Sequence, residues 1–89
     1  MSEVEVTIAN QLGLHMRAAG KFAKLAGSFR SRVSLVRDGM AVDGKSIVGL
    51  LTLAAAQGAT LLLRADGEDE TEAIAALKQL VEGRFGEDL

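Results

Sequence analysis

His15, Arg17 and Ser46 are the residues of this 89-residue sequence whose types and neighbours best fit chemistry. His15 follows Leu12-Gly13-Leu14 and precedes a stretch in which Ala19, Phe22, Ala23, Ala26 and Phe29 recur at helical spacing. That spacing places it where a glycine-containing loop enters a helix. The first N–H groups of a helix lack intrahelical partners, and the aligned peptide dipoles leave partial positive charge there. Such a place attracts anions and disfavours an imidazolium, so one ring nitrogen keeps a lone pair able to act as a nucleophile. If that nitrogen attacks a phosphoryl group, the phosphate falls against the free helix amides, and Arg17 adds a planar fork of donors. Arg17, Lys21 and Lys24 share one helix face, a like-charge stripe that an acidic partner would relieve. Ser46 is a preferred N-cap residue for a second helix. A phosphate on its hydroxyl would be tolerated at that helix start while adding roughly -1.5 to -2 charge to the surface.

The elements that must position these residues are read from periodicity. Val4, Val6 and Ile8 alternate with polar residues, which predicts a strand over 3–8. A helix is expected from Met16 to Ala26, with Gly27 as its stop. Ser31 to Arg37 and Met40 to Val42 flank Asp38-Gly39, a strong hairpin signal. Ile47, Leu50, Leu51 and Ala54 then mark a short helix that Gln57-Gly58 closes. Thr60 to Ala65 is the fourth strand. Asp66-Gly67 turns the chain into Asp69-Glu70-Thr71-Glu72, whose acids suit the positive end of a helix carrying Ala73, Ile74, Leu77, Leu80 and Val81 and ending near Gly83. The acids from Glu68 to Glu72 read as capping and solvation. With one apolar face per strand, the economical solution is an α+β open-faced two-layer sandwich, helices on one face and water on the other. Residues 1–89 fit a single domain.

Composition removes several functions. A 48% hydrophobic and 25% charged chain folds as an ordinary globular protein. With no cysteine and one histidine, disulfide frameworks, thiolate sites and multi-histidine metal sites are excluded. A net charge of -2, no Trp or Tyr and three Phe argue against nucleic acid. The longest nearly apolar run, Ile47 to Ala56, is too short for membrane insertion, and a cytoplasmic protein is expected. The charge is uneven, +3 over residues 1–45 and -5 over residues 46–89, which points the basic half toward an anion or an acidic partner.

Gly13-Leu14-His15-Met16-Arg17-Ala18-Ala19 resembles the active-site segment of the HPr family of phosphocarrier proteins, whose pattern reads Gly, Ile or Leu, His, Ala, Arg, Pro, Ala. Gly13, His15, Arg17 and Ala19 keep that pattern; Met16 replaces the common alanine and Ala18 the usual proline. Proline near a helix start fixes φ and removes a donor at no loss, so Ala18 predicts a competent but more mobile site. Lys45-Ser46-Ile47-Val48, with Leu50 and Leu53, resembles the segment around the family's regulatory serine. The long last helix and the Phe85-Gly86-Glu87-Asp88 tail are also similar to the nitrogen-branch type of the family.

The resemblance implies a βαββαβα order with a four-stranded antiparallel sheet and three helices on one face. It implies a monomeric carrier without metal or organic cofactor, phosphorylated on the δ1 nitrogen of His15 by Enzyme I. The group would pass to EIIA-type acceptor domains, with HPr kinase/phosphorylase acting on Ser46. Ile47, Val48 and Leu51 cannot all enter a core already served by Leu50 and Leu53. With Met16, Gly20 and Lys24 they form the docking surface that the resemblance implies. The alternative is a regulatory interaction module of the same fold controlled through Ser46. A small-molecule-binding domain would need a concave apolar pocket that nothing in the sequence announces.

Overall fold

Alternation, helical spacing and turn residues resolve in the computed structural model, which describes residues 1–87, into a four-stranded antiparallel sheet and three helices. The strands are β1 (Ser2–Thr7), β2 (Arg32–Arg37), β3 (Met40–Asp43) and β4 (Thr60–Asp66), in the spatial order β1-β4-β2-β3. The helices are α1 (Met16–Gly27), α2 (Ile47–Thr52) and α3 (Glu70–Glu82), and a single 3-10 turn covers Arg84–Gly86. Asp38 and Gly39 both take positive φ, 50° and 82°, as the two-residue hairpin between β2 and β3 requires.

Register sets the two faces. Val6 lies opposite Leu61, and Leu35 opposite both Leu63 and Val42. These side chains pack with Phe22, Leu50, Leu77 and Val81 in one core. Each fully buried Leu, Val or Phe contributes about 1.5–3 kcal/mol, so this layer holds the helices against the sheet. On the opposite face Glu3, Arg64 and Ser34 stand side by side, with an ion pair of 2.6 Å from Arg64 Nε to Glu3 Oε2. The open-faced sandwich expected from one apolar face per strand is the observed architecture.

Two boundaries differ from expectation. Gly27 is the last residue of α1 and not its stop; Ser28 follows in the right-handed region, its N–H bonded to Leu25 and Ala26. Gln57-Gly58 does not close α2, which ends at Thr52. Ala54 there turns into the left-handed region at φ 49°, and Arg37 Nη1 donates to the carbonyls of Leu53 at 2.7 Å and Ala54 at 2.9 Å. A side chain from β2 thus satisfies carbonyls that helix exits leave open.

Candidate functional site

Gly13 fixes the entry to α1. Its φ is 71°, and a Cβ there would lie 2.5 Å from the Ala55 carbonyl oxygen, so the position excludes a side chain. That same carbonyl accepts from Leu14 N–H at 2.9 Å, pinning the loop to the segment beyond α2. His15 is then the N-cap of α1, with extended backbone at φ -82° and ψ -179°. Its Nδ1 accepts from Arg17 N–H at 3.2 Å, an unusual use of an imidazole where Ser, Thr, Asp or Asn ordinarily serves. A ring nitrogen that accepts carries no proton, so Nδ1 presents its lone pair to the helix start. Ala19 is the first residue of α1 whose N–H reaches an α-helical carbonyl, that of His15 at 2.8 Å. The amides of Met16 and Ala18 therefore lie among the unpaired first donors of the helix.

The other ring nitrogen faces a residue that sequence reasoning left without a role. His15 Nε2 lies 2.5 Å from Glu87 Oε2, and Glu87 Oε1 accepts from Asn10 Nδ2 at 2.9 Å. Asn10 is fully buried and also donates to Gly13 O at 2.7 Å, so one amide ties the loop to the chain end. Burial pushes the Glu87 carboxyl up, but the hydrogen bonds from Asn10 and His15 and the positive charge of Lys21 outweigh it and leave its pKa below the usual value. Neither partner had a local signal: Asn10 reads as a turn former, and Glu87 belongs to a tail whose Asp88 lies outside the described residues.

The other expected residues divide. Arg17 and Lys24 are exposed, and among the described residues neither side chain makes an ion pair or hydrogen bond. Lys21 departs from the partner-facing stripe expected for it, since its Nζ donates to Phe85 O at 2.7 Å. Met16 is 70% and Val48 74% exposed, Ile47 is 41% exposed, and Leu51 is half-buried beside the fully buried Leu50. Gly20 is where α1 meets α2: a Cβ there would stand 3.9 Å from Ile47 Cδ1. Leu12, 69% exposed in the loop before His15, adds an apolar side chain that was not anticipated. Ser46 caps α2, its Oγ accepting from Gly49 N–H at 3.0 Å.

The profile of the PTS HPr component phosphorylation site matches residues 2–83. This chain belongs to the HPr family. It is 51% identical over 87 residues to the phosphocarrier protein HPr of Cupriavidus necator, covering 98% of each chain, and 47% identical over 88 residues to that of Pseudomonas aeruginosa, again covering 98% of each. Among solved structures it resembles an HPr from Thermoanaerobacter tengcongensis, with TM-score 0.96 and 44% identity over all of both chains. It also resembles the Bacillus subtilis catabolite repression protein Crh, with TM-score 0.77 and 39% identity over 94% of this chain and 97% of that one. HPr membership gives the coarse role, a phosphocarrier of the phosphotransferase system. Among the described residues no helix is long and apolar enough to cross a membrane, and no group of three His, Cys, Asp or Glu gathers as a metal site.

Proposed function

We propose that this HPr-family protein accepts a phosphoryl group on His15 Nδ1 from phosphorylated Enzyme I in the cytoplasm and passes it to an EIIA-type acceptor domain. The observation that carries the reading is the Nδ1 lone pair directed at the Arg17 amide at the start of α1. In the transfer the lone pair forms a P–N bond while the donor's P–N bond breaks, its electrons returning to the donor nitrogen. Such a transfer needs positioning and charge stabilisation more than covalent help. The amides of Met16, Arg17 and Ala18 and the Arg17 guanidinium supply that stabilisation for the phosphate oxygens. Ala18 keeps an N–H where the family's usual proline has none. The protein is a substrate of its partners more than an enzyme, working as a monomer with no cofactor of its own.

Docking falls to Met16, Ile47 and Val48, with Gly20 and Leu51 beneath them and Arg17 and Lys24 at the rim. Exposed apolar side chains ringed by cations fit a partner with an apolar centre and an acidic edge. Incubation with phosphoenolpyruvate and Enzyme I should produce an acid-labile, alkali-stable phosphate in the wild type and none in His15→Ala. Equal labelling of both proteins would sink the reading.

A second reading rests on the Ser46 cap and on the likeness to Crh. HPr kinase would esterify the Ser46 hydroxyl, and the added charge beside Ile47 and Val48 would repel acidic partners with little unfolding. Incubation with the kinase and ATP followed by phosphopeptide mapping decides it: a phosphate at Ser46 supports the regulatory module, and an unlabelled peptide removes it.

A further inference from the structure

Residues 84–87 form a strap over the start of α1. Arg84, Phe85 and Gly86 take three successive positive φ values, 61°, 54° and 77°. The first two are not glycine, and such backbone persists only where surrounding contacts over-determine it. The contacts are present. Phe85 is 1% exposed in the core, its carbonyl accepts from Lys21 Nζ, and Glu87 closes the strap on Asn10 and His15. Side-chain exposures of 27% for His15 and 15% for Glu87 put the pair at the edge of water, where a carboxylate stays ionised while its hydrogen bonds keep direction.

We infer that Glu87 is a positioning residue for phosphoryl transfer, holding the proton of His15 on Nε2 so that Nδ1 is the accepting atom, and balancing the charge the ring gains on attack. This rests on the carrier reading above. As Nδ1 bonds phosphorus, the ring keeps its Nε2 proton and becomes a phospho-imidazolium. Its positive charge then sits against the Glu87 carboxylate, and the proton is afterwards free to leave to water. A carboxylate in this place fixes an imidazole's tautomer and orientation and stabilises its cationic form, the role of the third member of a catalytic triad. Carboxylate chemistry is required because both oxygens accept, one from Asn10 and one from His15. A glutamine presents one acceptor and one donor, so it satisfies only one of the two.

The test measures phosphoryl uptake from Enzyme I by the wild type, Glu87→Gln, Glu87→Ala and Glu87→Asp, alongside the His15 Nε2–H proton resonance of each unphosphorylated protein. Circular dichroism confirms that each variant is folded. The wild type should show a slowly exchanging Nε2–H signal. Glu87→Gln and Glu87→Ala should lose it and accept phosphate about tenfold more slowly at saturating Enzyme I. The half-saturating concentration of Enzyme I should not change, because the Glu87 carboxylate is engaged by Asn10 and His15 and not by the apolar side chains proposed to dock. Glu87→Asp should recover part of the rate. Variants that match a phosphorylated wild type in rate, or a wild type without the protected proton, overturn the role of Glu87 alone. A wild type that takes up no phosphate overturns the carrier reading and the role of Glu87 with it.

Discussion

The starts of α1 and α2 solve one problem with different chemistry. Each helix leaves its first amides open, and each is capped by a side chain that accepts from inside the first turn, His15 from Arg17 and Ser46 from Gly49. Ser46 is the residue helix energetics would choose. His15 is not, and its ring is held from both sides, by the Gly13 loop and by the strap. The start of α2 is built from neighbours in sequence, whereas the start of α1 needs Ala55 and Glu87 from distant segments as well as Asn10 nearby. Spending long-range contacts on a poor cap makes sense where the cap has to do something besides capping.

Removing those distant supports should break the comparison most. Phe85→Ala empties a fully buried site and detaches the strap, and should lower unfolding free energy by about 4 kcal/mol in urea titrations. Gly13→Ala forces a Cβ against the Ala55 carbonyl at positive φ and should cost about 3 kcal/mol, with slower phosphoryl uptake. Ser46→Ala, which removes only a local cap, should cost about 1 kcal/mol and leave His15 labelling by Enzyme I unchanged. His15→Ser should sharpen the contrast: an ordinary cap replaces an extraordinary one, stability stays within about 1 kcal/mol, and labelling disappears.

The start of α3 supplies a third case and the smallest effect. Asp69 stands at its N-cap, yet the carboxylate accepts from Ser31 Oγ, Arg30 N–H and Ser31 N–H across the fold. The Ser31 hydroxyl, then the Arg30 amide, hold its pKa near 2 against the opposing effect of burial, well under the ordinary 3.8. A depressed folded-state pKa gives stability that is complete above the unfolded value and disappears as pH falls through the folded one. The wild type should therefore lose stability between pH 3.8 and about 2, and Asp69→Asn should flatten that part of the acid-denaturation profile. Solvent near the carboxylate keeps the effect modest.

Periodicity made the strands and helices legible because burial repeats every two or 3.6 residues, and Asp38-Gly39 announced its hairpin because few pairs accept two positive φ values. The place of His15 at the start of α1 was legible because helical spacing marks where that helix begins, while the role proposed for it and Arg17 came from the resemblance of Gly13 to Ala19. The exit of α2 was not, since Arg37 caps it from β2, and Gln57-Gly58 was the nearest local substitute. Glu87 was hidden for the same reason, since His15 and Asn10 lie 72 and 77 residues away from it. Asp69 read as a helix acid for its charge, while its actual partners, Arg30 and Ser31, lie 39 and 38 residues away.

His15 and Glu87 are separated by 72 positions, so the imidazole leaves the ribosome long before the carboxylate that seats it has been translated. An unfinished copy displays a histidine with nothing behind it. On the role proposed for Glu87, a chain stopped before that residue should accept phosphate more slowly than one that includes it.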